Sequence, residues 1–282
     1  MDINWYPGHM TGARRKMQED IKLCDIVIEL LDARIPGSSK NPDLDDLIGN
    51  KKRLIILNKA DMADSAVTEK WVNYYESKGI KVLTMDSRIR KQTLKVTAAV
   101  KEVCKEKIER DRRRGIAARP IKAMVAGIPN VGKSTFINSF VGKTSAKTGN
   151  KPGVTRGNQW IRISKDINLL DTPGILWPKF DNQQIGLNLS FIGSINDNIL
   201  EMTDVAGEFI SFLKDNYCNI LAERYMIKNV DDVFQIMEEI AIAKKCIKKG
   251  GEPDIEKACI LLLDDFRSGK LGRISLETPQ ED

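Results

Sequence analysis

One stretch of the chain leaves little freedom in how it folds. The apolar run Ile121–Ala126 opens directly into Gly127-Ile128-Pro129-Asn130-Val131-Gly132-Lys133-Ser134, and 134–141 (STFINSFV) follows with helical spacing. This is the pattern GxxxxGK[ST], with a strand before it and a helix after it, as the motif requires. Its glycines let backbone N–H groups wrap a phosphate, here from Asn130, Val131, Gly132, Lys133, Ser134 and Thr135. Lys133 can reach β- and γ-oxygens, and the Ser134 hydroxyl can ligate Mg²⁺.

A second motif, Asn58-Lys59-Ala60-Asp61, ends the apolar run 53–57 and lies upstream of the first. A carboxylate at Asp61 can accept from both N1–H and the exocyclic amine of guanine, a donor pair that adenine lacks. Asn58 can bond the other base edge, and the Lys59 stem can lie along the ring. Asp86-Ser87-Arg88, after the next strand, falls where a further base-contacting loop is expected. About forty residues beyond the phosphate loop, Asp171-Thr172-Pro173-Gly174 closes another apolar strand. Asp171 there can hold Mg²⁺ through water, and the Gly174 N–H can meet a γ-phosphate. Between them, Thr155 in Pro152-Gly153-Val154-Thr155 is the candidate switch residue that completes the Mg²⁺ shell. The parts of a guanine-nucleotide site are therefore present in rearranged order.

Alternating patterns continue through the first part of the chain. Strands are expected at 25–32, 53–57, 80–84, 121–126, 159–163 and 167–170, with helices at 10–24, 64–78, 93–110 and 134–141. The alternation predicts an α/β fold, a mainly parallel sheet covered on both faces. After residue 178 only helical periods occur, near 183–192, 203–215, 218–226, 230–248 and 253–268. Two domains are expected: 1–178, opening with a segment and basic amphipathic helix at 1–24, and a small all-α domain at 179–282.

The net charge of +6 is divided unevenly: 1–178 carries 33 basic against 20 acidic residues, and 179–282 carries 12 against 19. A basic first part, with a cluster at Arg110, Arg112, Arg113, Arg114, Arg119 and Lys122, points to a polyanion such as nucleic acid. The five scattered cysteines form no CxxC pair and suit buried thiols in a reducing cytosol. No apolar run approaches the roughly 20 residues of a membrane span, and a signal core is lacking at 1–10. A cytoplasmic protein that does not enter membranes is expected.

The order NKAD, DSR, GIPNVGKS, PGVT and DTPG resembles that of the circularly permuted, Ras-like P-loop GTPases. Asp32-Ala33-Arg34-Ile35-Pro36 resembles their DAR(x)P sequence. The opening WYPGHM and the ending FRSGKLGRISLE further resemble the bacterial ribosome biogenesis GTPase A family, also called YlqF. The resemblance spans essentially the whole chain. It implies a GTPase that binds GTP and GDP, needs Mg²⁺, and acts late in assembly of the large (50S) ribosomal subunit. It also implies binding to that subunit's RNA, and a monomer away from the ribosome. Ile175, Leu176 and Trp177 stand where other GTPases carry a water-orienting glutamine, and the resemblance marks His9 as the catalytic histidine instead. Related GTPases also use an asparagine placed like Asn130 to hold K⁺. The resemblance makes the helical domain the RNA-binding part, with Lys244, Lys245, Lys248, Lys249, Arg267, Lys270 and Arg273 as candidate contacts.

Two other readings remain open on sequence. One is a nucleotide-regulated RNA-binding scaffold with little hydrolysis, since the glutamine is missing. The other is a P-loop small-molecule kinase, although no acceptor site is visible.

Overall fold

The computed structural model describes residues 10–116, 119–141, 159–172, 174, 176–177, 180, 182–227 and 232–280. Six strands form one sheet: β1 Ile26–Asp32, β2 Lys52–Asn58, β3 Lys81–Met85, β4 Ile121–Ala126, β5 Gln159–Arg162 and β6 Ile167–Asp171. The spatial order is β3-β2-β1-β4-β6-β5. Every pairing is parallel except β5 with β6. Counted from β4, the order becomes 6-5-4-1-3-2, with the phosphate-loop strand central. All seven residues of β1 are buried. A strand buried on both pleat faces needs cover on both sides of its sheet, which is why IVIELLD reads as a nearly continuous apolar run.

The helices of this part are α1 Met10–Lys22, α2 Pro42–Ile48, α3 Ser65–Ser77, α4 Thr93–Val103, α5 Lys105–Arg113 and α6 Lys133–Val141. Helix α2 starts where Asn41 caps it, accepting from the Asp43 N–H at 3.0 Å, with Pro42 in the first turn. The single helix expected over 93–110 is two helices, broken at Cys104 (φ −94°, ψ 12°). Against the sheet, Trp71 and Tyr75 of α3 stack at 5.6 Å among Leu31, Ile55, Leu57 and Val82.

A second unit contains α7 Gln183–Phe191, α8 Met202–Asn216, α9 Cys218–Tyr225, α10 Val233–Ala243 and α11 Ile255–Arg267. Val205, Phe209, Ile210 and Leu213 form one fully buried stripe of α8, the i, i+4, i+5, i+8 pattern of a helix facing a core. Phe209 packs against Phe191 at 5.2 Å and Phe266 at 4.7 Å. Helix α10 stops well short of 248, because Lys245 takes a left-handed φ of 55° and the Cys246 N–H returns to Ala241 O at 2.8 Å. That is a Schellman-type end, made without the usual glycine.

The chain divides into two compact units, and the division corrects the expected domain extents. The helical unit runs from 181 to Ile274, but residues from Ser275 onward belong with the sheet. The Leu276 N–H donates to Arg34 O at 2.9 Å. Ser275 Oγ accepts from the Asp64 N–H at 3.1 Å, and Trp71 Nε1 donates to Glu277 O at 3.2 Å. The Glu277 carboxylate accepts from the Ser38 N–H at 2.8 Å and from the Ser38 hydroxyl. Four cysteines are buried, Cys218 is exposed, and all five are free.

Candidate functional site

Strand β4 delivers the phosphate loop to the carboxyl end of the sheet, where α/β folds place their ligands. Two of its glycines are required by close approach. A Cβ on Gly127 would lie 2.6 Å from Leu30 O, and one on Gly132 would lie 2.4 Å from Asn58 Nδ2. Their φ angles, 153° and 100°, also exclude most side chains. Between them Asn130 takes the left-handed conformation, φ 60°, which asparagine tolerates better than most residues. Lys133 opens α6, and its ammonium donates to Gly127 O at 2.9 Å and Ile128 O at 2.8 Å. Burial pushes its pKa down to about 8, with the Asp171 charge opposing.

The two motifs, far apart in sequence, touch through this loop. Asn58 Nδ2 donates to Val131 O at 2.8 Å, while Asn58 Oδ1 accepts from Ser87 N at 3.1 Å and Ser87 Oγ at 2.7 Å. Beside its expected base contact, the buried Asn58 amide thus braces the phosphate loop against the 86–88 loop. Lys59, itself left-handed at φ 58°, donates to Asn130 O at 2.7 Å and to Asp32 Oδ2 at 2.9 Å. Asp61 is the acid expected to read the base. Its Oδ2 pairs with Arg88, while its buried Oδ1 has no hydrogen-bond partner among the described residues. A guanine edge would supply that oxygen with a donor. Arg88 also grips Asp86 with two bonds, at 2.9 and 3.0 Å. Although burial raises the Asp86 pKa, these bonds hold it below the usual carboxylate range.

Behind the site sits a residue to which sequence reasoning gave no role. Asp32, at the end of β1, is fully buried and accepts from Arg34 Nε at 2.9 Å, Arg34 Nη2 at 2.8 Å and Lys59 Nζ. Burial would raise its pKa, but the two cations overcome this and hold it well below the ordinary range. The DAR sequence is thus a buried ionic hub that fixes Lys59, and through it the phosphate loop. Its mark in the sequence was an acid at the end of a mostly apolar strand.

The metal side is built on β6. Asp171 Oδ1 is buried without a hydrogen-bond partner among the described residues. Burial pushes the Asp171 pKa up to about 6, against the Lys133 charge and the Thr172 N–H. An orphaned acid beside a phosphate loop fits a cation such as Mg²⁺. No group of three His, Cys, Asp or Glu that could hold a metal occurs among the described residues, so such a cation would also need Ser134 and phosphate oxygens. The neighbouring Thr172 Oγ1 donates to Val125 O at 2.7 Å. Gly174 lies on the loop: a Cβ there would be 2.8 Å from Lys133 Nζ and 2.8 Å from Pro129 N. Leu176 and Trp177, in the place of the missing glutamine, are buried.

His9 and Thr155 lie outside the described residues. The candidate RNA contacts fare unequally. Arg267 is withdrawn from them, because its guanidinium is committed inside the helical unit. It donates to Phe191 O at 3.0 Å, to Ser190 O at 2.7 Å, and to both Asp197 oxygens. Lys270 is 3.4 Å from Asp265, and Lys244 lies over the Tyr225 ring at 5.2 Å. Lys245, Lys248, Lys249 and Arg273 are exposed. The lysines at 248 and 249 stand on a tight loop closed by the Ile247–Pro253 bridge, not on a helix.

Comparison with known proteins agrees with this geometry. Residues 122–247 match the family model described as 50S ribosome-binding GTPase; Asn58–Asp61 falls outside it, as the reversed order requires. The chain is 45% identical over 282 residues to ribosome biogenesis GTPase A of Bacillus cereus, covering 100% of this chain and 95% of that protein. It is 44% identical to the protein of the same name from Priestia megaterium, covering 100% of this chain and 98% of that one. The crystal structure of GNP-bound YlqF from T. maritima superposes with a TM-score of 0.68 at 28% identity, covering 96% of this chain and 100% of that one. With the permuted sheet, the joined motifs and full-length similarity in agreement, the chain belongs to the ribosome biogenesis GTPase A (YlqF) family.

Proposed function

We propose that this GTPase serves late assembly of the large (50S) ribosomal subunit, binding its RNA in the GTP state and leaving when GTP is hydrolysed to GDP and phosphate. The observation that carries the reading is the position of Gly174. It lies against the phosphate loop, and the helical unit begins a few residues later, at 181. A γ-phosphate that draws the Gly174 N–H toward itself pulls on the segment leading into that unit. The family model's description and the names of the curated relatives support a ribosomal partner.

In this reading Lys133 leaves the carbonyls of Gly127 and Ile128 for the β- and γ-oxygens. Asp61 takes the guanine edge. Ser134, Thr155 and, through water, Asp171 hold Mg²⁺, which neutralises charge on the phosphates. Asn130 helps hold K⁺. His9 positions the attacking water, a role the buried Leu176 and Trp177 cannot fill. Lys244, Lys245, Lys248, Lys249, Lys270 and Arg273 supply phosphate contacts from the helical unit. The protein works in the cytoplasm as a monomer off the ribosome; no helix among the described residues is long and apolar enough to cross a membrane.

The test is co-sedimentation with large subunits in a non-hydrolysable GTP analogue and in GDP, with turnover followed in K⁺ and in Na⁺. Retention in the analogue only, K⁺-stimulated turnover, and its loss in His9→Ala at unchanged GTP affinity are expected. Equal retention in both nucleotides would overturn the GTP-dependent docking. Equal turnover in the two salts would remove the K⁺ role, and unchanged turnover in His9→Ala would remove the histidine.

A further inference from the structure

The first unit carries a basic surface that the nucleotide site does not use. It lies along the outer edge of the sheet and the rim formed by the amino ends of β4 and β6, away from the phosphate loop. Strand β5 is an edge strand, with Ile161 buried and its neighbours Trp160 and Arg162 exposed. Successive residues of a strand face opposite ways, so Trp160 and Arg162 share the outward face. The register places Arg162 opposite Asn168 and Asn168 opposite Lys122, so Lys122 belongs to the same row. The Lys122 ammonium lies 5.4 Å from the centroid of the Trp160 ring, and Trp160 is 40% exposed.

From Lys122 the surface continues to α5. The Lys122 N–H donates to Asp25 Oδ2 at 2.9 Å, and Lys107 bridges Asp25 at 3.6 Å and Asp111 at 3.0 Å. Arg119 acts on the same Asp111. The local acids are thus engaged by Lys107, and Asp166 is engaged by Lys101 at 2.6 Å. Beyond them Arg112, Arg113 and Arg114 end α5. All three are exposed, with no ion-pair partner among the described residues. Three adjacent arginines at a helix C-terminus answer its partial negative charge, but a stabilising role needs one of them, not three.

We propose that this band, from Arg162 and Trp160 through Lys122 to Arg119 and Arg112–Arg114, is a second RNA-binding surface, which takes an unpaired segment. It rests on the reading that the partner is ribosomal RNA. An exposed indole flanked by cations suits a single strand: the ring offers a face to an unstacked base, and the arginines follow the phosphates. A duplex hides its base faces and would leave Trp160 unused. The placement also accounts for the charge division, in which the first part of the chain and not the helical one carries the basic excess.

The experiment is fluorescence anisotropy of the full chain with an end-labelled 15-nucleotide single-stranded RNA and with the same sequence as a duplex. Trp160→Ala, Trp160→Phe and the triple variant Arg112→Glu/Arg113→Glu/Arg114→Glu are compared over a salt series, with GDP affinity as the check on folding. Single-strand affinity should fall about 5- to 150-fold in Trp160→Ala, the range of one base–aromatic stack, and be largely kept in Trp160→Phe. In the triple variant the slope of log affinity against log salt should shrink by about 2, from about 0.7 per lost phosphate contact. GDP affinity should be unchanged throughout. Native chain that binds no single strand at low salt, or Trp160→Ala and the triple variant that bind as native does, would overturn the surface. So would capture by phosphatidylserine vesicles in place of RNA. Pelleting with large subunits separates the two readings. Failure of the native chain to pellet removes the ribosomal function itself, whereas variants that pellet and bind RNA like native chain remove only this surface.

Discussion

At Asp171 the requirements of the reaction and of the folded state conflict. Its carboxylate is buried, one oxygen has no partner among the described residues, and burial lifts its pKa to about 6 from an ordinary 3.8. A carboxyl whose folded pKa is raised binds more protons folded than unfolded between those two values. Its contribution is therefore fully present below about pH 4 and lost as pH rises through about 6. Asp171→Asn, which carries no charge, should flatten that part of the profile. The nucleotide-free variant should equal or exceed native stability at pH 7, by up to roughly 1–3 kcal/mol for a shift of this size, while Mg²⁺-dependent GTP binding falls. Urea unfolding from pH 4 to 8 beside nucleotide titration checks this, and a variant less stable than native at pH 7 would contradict it. The same scale shows what motif reading can and cannot see. The loop shape at Gly132 and Lys133 was legible because fixed letters at fixed spacing encode a backbone shape. The bracing role of the Asn58 amide and the internal bonds of the Arg267 guanidinium were not visible because they are set by partners far along the chain, Val131 and Ser87 for one and Asp197 for the other.

Among the elements, strands were read to within a residue or so, because β-branched and leucine runs bounded by turn residues have few alternative placements. Helix ends were read less well, for physical reasons. The apolar spacing runs on past Cys104, so a periodic reading carries one helix through the break. Lys245 ends α10 in a conformation that glycine normally signals, and no glycine is there to mark it. The segment after α11 was the largest surprise. SLETP lacks periodicity, yet Ser275, Leu276 and Glu277 bond to Asp64, Arg34 and Ser38. Glu277 is the principal tie: its carboxylate takes the Ser38 N–H and hydroxyl, and its carbonyl takes Trp71. Glu277→Ala should cost the first unit about 1–3 kcal/mol, the usual penalty for orphaning charge-assisted donors, and Glu277→Gln should recover part of it. Chemical denaturation followed by far-UV circular dichroism and tryptophan fluorescence measures both, and an Ala variant as stable as native would show the tie to be incidental.

Over the whole molecule, the permutation preserves the sheet and moves only its connections. Order 6-5-4-1-3-2 counted from β4 is intact, so every strand that meets the nucleotide keeps its neighbours. Because the tail is bonded to the DAR segment, and Asp32 of that segment holds Lys59, nucleotide binding should be felt at residue 276. GDP at 100 times its Kd stabilises the state that binds it by about 2.7 kcal/mol. Hydrogen exchange at the Leu276 amide should then slow with that of β1 and β2, although the whole helical unit separates them in sequence. No slowing at Leu276 would mean that the tail opens independently of the sheet.

The return of the tail also has a consequence for synthesis. Domains generally fold as the chain emerges, amino-terminal part first. Here the Ser38–Glu277 contact joins residues 239 positions apart, and residues 275–277 are translated only after the entire helical unit. The sheet can assemble early, but Trp71, Ser38 and the Arg34 carbonyl wait for partners made later. The chain therefore gains its finished nucleotide domain only once its helical unit has been made. A ribosome stalled within α11 would display a nascent sheet whose clasp does not yet exist.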